Sequence, residues 1–241
     1  MGYDMRWRKA DPDEKEAVAA VREVFHAAVT ERDSLPREES GRLRPGAEDW
    51  DAHDSHDGRT ERYAKAQDKV HAAYREMGDA EKSYFRLNGF GMGSYVSLME
   101  RIGMVFDDDP HPPFPEAEDF GTTWEDHSAL EYPEDYPDVA WTDSRLVAAT
   151  KLREALNAVL DFHGKTDTPG IPARKFSSND GWHVLPAEAE AAVRLWQQFV
   201  AGNGEEKALT IVAEHVGDTS YWLKWITYLA GSVRHDGFEV H

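Results

Sequence analysis

The 241-residue chain has no cysteine. Disulfides, a thiolate nucleophile and cysteine-ligated zinc or iron–sulfur centres are therefore excluded, and a reducing compartment is the natural setting. Long apolar runs are also missing. The longest unbroken one is the five residues 17–21, far short of the roughly 20 needed to cross a bilayer. The opening residues Met1, Gly2, Tyr3, Asp4, Met5 and Arg6 lack the apolar stretch of a signal peptide, so the expected location is cytoplasmic, with no membrane association. Positive charge is scarce, with 27 Lys plus Arg against 46 Asp plus Glu and a net charge of −19. Such a chain repels phosphate backbones, which disfavours direct nucleic-acid binding. No Gly-x-Ser-x-Gly elbow occurs, which removes one common placement of a nucleophilic serine. The segments between helical stretches differ too much in length to share one period, so a solenoid repeat is not expected.

Apolar residues make up 40% of the chain and include eight Trp, enough to bury a full core. The expected fold is mainly α, one compact multi-helix domain over residues 1–241 with about seven helices, long irregular loops and a small β-sheet. Asp11 and Pro12 open a first helix with Val18, Val21, Phe25 and Val29 on one stripe. A second begins after Thr60, carries Tyr63, Ala66, Val70 and Ala73, and should pack antiparallel to the first. Residues 36–60 hold glycines, prolines and charges with few apolar anchors, and read as a mobile loop. Further helices are expected over 94–102, from Thr142 or Asp143 to His163, from Pro186, over 205–216 and from Asp218. Short strands at 3–7, 85–88 and 182–184 would form the sheet.

Several clusters invite a chemical reading. Residues 84–88, then Gly89, Gly91 and Gly93, a short helix and Asp107 imitate a dinucleotide-binding strand, turn and acid. Arg86 and Asn88 suit a buried strand poorly and no strand–helix alternation follows, so a glycine turn is the better reading. Glu23 with His26, and Asp68 with His71, have the i, i+3 spacing of di-iron bundles. Yet Glu23 lies roughly 150° and His26 about 90° from the apolar stripe, so both pairs should face solvent. His53 and His56, with the acids of residues 49–57, sit in a loop without rigid support for a metal. His163 and His215 fall on apolar helix stripes, where a hydrogen-bonded histidine or one at a helix end is the plain interpretation. No cofactor and no metal are expected.

Two features remain as candidates. Residues 175–184 gather polar and aromatic side chains. There Asn179, Asp180 and Gly181 signal a turn, while Asn179, Asp180, Trp182 and His183, joined by Arg86 and Asn88, could line a pocket for a small polar or cationic substrate. Residues 107–143 contain 13 acidic residues, no Lys or Arg, six prolines and six aromatics. This reads as an ordered irregular wrap, serving either as a solubilising cover with its aromatics turned inward or as a docking surface for a basic protein. The docking residues would be Asp107, Asp108, Asp109, Glu116, Glu118 and Asp119. A non-catalytic binding or regulatory protein is the leading functional expectation, and an enzyme using the Asn179–His183 pocket is the alternative.

At Met1 to Met5, at Phe85 to Asn88 with Gly91 and Gly93, and at Phe176 with Ser178, Asn179, Asp180, Gly181 and Trp182, the chain resembles an uncharacterised family of actinobacterial hypothetical proteins. The likeness spans most of the length. It implies a bacterial cytoplasmic setting and carries over no functional residue.

Overall fold

A computed structural model describes residues 2–9, 11–36, 60–107, 110–164 and 167–241. The chain divides into two units, Ala10–Ser83 and a larger one of Met1–Lys9 with Tyr84–His241. In the smaller unit the Asp11 carboxylate accepts from the Asp13 N–H, and Pro12 occupies the first turn of helix α1, Pro12–Asp33. Thr60 caps helix α2, Glu61–Ala80, by accepting from the Tyr63 N–H. Glu14 meets Ser83, Phe25 meets Tyr74 and Glu31 meets Lys69, so the two helices run antiparallel. Val18, Ala28, Ala66, Val70 and Ala73 are buried in this unit. Glu23, His26, Asp68 and His71 are exposed, as their angular positions predict. Residues 37–59, most of the expected mobile loop and including His53 and His56, lie outside the described residues.

The larger unit is built on a four-stranded antiparallel sheet. Strands β1 (Gly2–Trp7), β2 (Tyr84–Asn88), β5 (Trp182–Val184) and β6 (Phe238–Val240) lie in the order β2-β1-β6-β5. Three of these were expected, and β6, placed between β1 and β5, was not. Residues opposed in the register share a face. Met5, Phe85, Val240 and Trp182 are linked that way on one face, and Arg6, Glu239 and His183 on the other.

The apolar face is covered by helices. They are α3 (Gly89–Ile102), α6 (Pro186–Asn203), α7 (Glu205–Val216) and α8 (Thr219–Ser232), and Met99, Trp196, Val212, Trp222, Trp225 and Leu229 join the sheet residues in one core. The glycines at 89, 91 and 93 are not a turn, because Asn88 accepts from the Gly91 N–H at 2.7 Å and starts α3 at Gly89 itself. A strong cap outweighs the low helix propensity of glycine here. A parallel pair, β3 (Val105–Phe106) with β4 (Ile171–Pro172), closes the base of α3.

The acidic segment is ordered over its described part and contains a 3-10 turn, Ala117–Phe120, and a helix α4, Trp124–Glu131, both packed on helix α5, Asp143–Leu160. The short α4 is the eighth helix among the described residues, one more than the sequence suggests. Thr123 and Asp126 form its capping box. Among the described residues no helix is long and apolar enough to cross a membrane.

Candidate functional site

The six residues grouped as a pocket do not converge. Arg86 and Asn88 lie on β2 and Trp182 and His183 on β5, the two edges of the sheet, three strand spacings or roughly 14 Å apart. Asn88 is the cap of α3, and exposed Arg86 lies 3.5 Å from Asp4. Asn179 and Asp180 are exposed in a turn that ends at Gly181, whose φ of +85° suits glycine. Trp182 and His183 point to opposite faces, as neighbours on a strand must. The Trp182 indole donates to Ser178 Oγ at 3.0 Å and packs against the rings of His111 and Phe114. The His183 ring is buried and donates from Nδ1 to Asp161 at 2.8 Å.

Beside His183 lies a buried charged network that the sequence did not single out. Lys175 is 0% exposed and donates from Nζ to His183 O at 2.6 Å, to both Glu188 carboxylate oxygens at 2.8 and 2.9 Å, and to Asp161 O at 3.4 Å. Glu188 also accepts from His163 Nδ1 at 2.7 Å and from the Leu185 N–H at 2.8 Å, which caps α6. His163, expected in the last turn of α5, lies beyond its end at Leu160 because it is drawn to this carboxylate. Burial pushes the Lys175 ammonium below its ordinary range, against the opposing pull of Glu188. Burial likewise lowers His183, while its hydrogen bond to Asp161 opposes the shift. All three Lys175 donors are committed and the ammonium is sealed from solvent, so this group serves as a structural clasp and not as a base or nucleophile.

The acidic segment has a different construction. Ala117 and Phe120 pack against Leu152 and Leu156 of α5, a small core separate from the main one. Arg145 of α5 donates from Nε to the buried Asp126 carboxylate at 2.6 Å and from Nη1 to Ala140 O at 3.1 Å, and its guanidinium lies over the Trp141 ring. Burial would raise the Asp126 carboxyl, but hydrogen bonds from Arg145, Thr122 and Thr123 hold it below the usual range. With the inner side fixed, the outer side carries Trp124 at 47% exposure, Tyr132 at 55% and Trp141 at 36%. Among them stand the exposed carboxylates of Glu125, Glu131, Glu134, Asp135 and Asp138. Asp107, Glu116, Glu118 and Asp119 are exposed as well, and Asp108 and Asp109 lie outside the described residues. The exposed Trp and Tyr side chains were not legible beforehand, since composition gives the number of aromatics and not their direction.

No protein-family model, curated protein or solved structure matches this chain.

Proposed function

We propose that the protein is a non-catalytic binding protein that engages a basic protein partner through the acidic, aromatic surface of residues 107–143. The observation that carries this reading is the outward display of Trp124, Tyr132 and Trp141 among carboxylates on a segment whose inner side is already satisfied by Arg145, Leu152 and Leu156. A purely solubilising cover would bury its aromatics and leave only charge outside. Exposed Trp and Tyr supply the desolvated contacts that dominate interface energies. The surrounding carboxylates steer a positively charged partner and suppress acidic ones. The partner is therefore a Lys- and Arg-rich segment that also offers apolar side chains.

The test compares two probes, an amphipathic helical peptide of Lys and Leu and an oligolysine of equal charge. Calorimetric titration should show the amphipathic peptide binding about tenfold more tightly, and the preference should vanish in the Trp124→Ala, Tyr132→Ala pair. Neutralising Asp107, Asp108, Asp109, Glu116, Glu118 and Asp119 to their amides should weaken both probes and flatten the salt dependence. Equal affinity for the two probes, or full binding by the neutralised protein, would sink the proposal.

A further inference from the structure

Two exposed indoles of the acidic segment each have a nitrogen-bearing side chain beside them, and the two neighbours differ in charge. At Trp141 the neighbour is Arg145, whose guanidinium carbon lies 5.6 Å from the ring centroid. That guanidinium is fixed from behind by the buried Asp126 carboxylate. The Trp141 ring therefore already carries a cation of the protein's own, at the separation where the ring quadrupole attracts one.

At Trp124 the neighbour is His127. The two stand at i and i+3 on α4 and so share one side of the helix. Their ring centroids are 5.9 Å apart and the planes meet at 74°. Trp124 is 47% exposed, and His127 is half-buried beside it.

The charge of His127 depends on its surroundings. Burial holds the ring below its ordinary range; Glu131 opposes the shift and Arg153 reinforces it. The imidazole is therefore neutral at about pH 7.5 and takes up its proton only below about 6.5. The carboxylates between α4 and α5 already have cations, Glu131 with Arg153 at 3.6 Å and Asp126 with Arg145. Glu118 and Asp119, on the 3-10 turn that packs on α5, are exposed to solvent. A proton on His127 thus adds a positive charge to pairs that are already neutral, and it brings Trp124 into the condition of Trp141.

We propose that His127 sets an acid limit on docking: with His127 neutral, Trp124 receives a Lys or Arg of the basic partner, and with His127 protonated, the imidazolium supplies the ring's cation itself and repels the partner's. The acid limit rests on the docking reading and adds its regulation. Two unit charges at one partly exposed ring stand within roughly 6–8 Å of each other, where repulsion weakens binding about three- to tenfold.

Calorimetric titration of the amphipathic Lys and Leu peptide into the full chain, at about pH 7.5 and about pH 5, gives the first readout, since the peptide's lysines stay charged at both. Other histidines of the chain also charge over this interval. The comparison is therefore made with His127→Gln, which has no proton to gain, and with His127→Arg, which carries the charge throughout. The parent should lose about three- to tenfold more affinity on acidification than His127→Gln does, and His127→Arg should bind weakly already at neutral pH. A second readout needs no variant. Binding and protonation are linked, so saturating peptide should move the His127 ring titration, followed by proton NMR, down by about 0.5–1 pH unit. An equal loss in the parent and in His127→Gln, or a His127 titration that the peptide leaves in place, overturns the acid limit while the docking reading stands on its preference at neutral pH. Absence of any preference for the amphipathic peptide over oligolysine at neutral pH sinks the docking reading, and the acid limit falls with it.

Discussion

Lys175 is an amine at zero exposure, and Glu188, the carboxylate it pairs with among the described residues, is itself 2% exposed. Removing the Lys175 ammonium leaves Glu188 buried with the His163 ring and the Leu185 N–H still beside it, and breaking a buried pair costs up to about 3–5 kcal/mol. Lys175→Met is therefore expected to lower the urea unfolding free energy by about that amount. Adding Glu188→Gln should restore part of it, because the amide is neutral and its oxygen can still accept from the Leu185 N–H. Additive losses in the double variant would show that the pair is not coupled. None of this was legible in the sequence, where Lys175 stood as one polar residue in a run of them. What makes it special is its position beside the start of α6, the end of α5 and the backbone of β5, three segments that only the folded chain brings together. His183 was picked out for its chemistry and is buried for another purpose, with Asp161 and Glu239 on either side of its ring.

At the scale of elements, helices with strong caps and apolar periodicity were readable, and contacts supplied from far along the chain were not. Asp11, Thr60, Thr142 and Asp218 each accept from a backbone N–H at a helix start, as short polar side chains do. Strand β6 is only three residues long and holds its place because its backbone pairs with β1 and β5. Helix α8 shows the same dependence. A Cβ at Gly231 would come within 2.2 Å of the Trp7 ring, whose indole stacks on His235 with centroids 4.3 Å apart. Gly231→Ala should displace that ring and cost about 1–3 kcal/mol from overpacking. In a Trp7→Ala background the same change should become neutral or stabilising by up to about 1 kcal/mol, since alanine is the better helix former. Paired urea melts measure the difference, and an equal penalty in both backgrounds would refute the contact.

The whole molecule bears a net charge of −19, and self-repulsion of that size opposes compactness. Raising sodium chloride from about 10 mM to about 150 mM shortens the Debye length from roughly 30 to 8 Å. The melting temperature should rise over that interval, and a flat or falling response in calorimetry would mean that local pairings outweigh the global charge. Composition and periodicity by themselves determined the helical class, the pairing of α1 with α2, three strands of the sheet and the acidic character of residues 107–143. These are properties of short windows, in which side-chain size, polarity and spacing act through local backbone geometry. The tertiary structure alone decided that Arg86 and His183 stand on opposite edges, that Lys175 is sealed against Glu188 and that Trp124 and Tyr132 face outward. Each depends on which distant segment occupies the neighbouring volume, and that is set by the packing of the entire core rather than by the residues themselves.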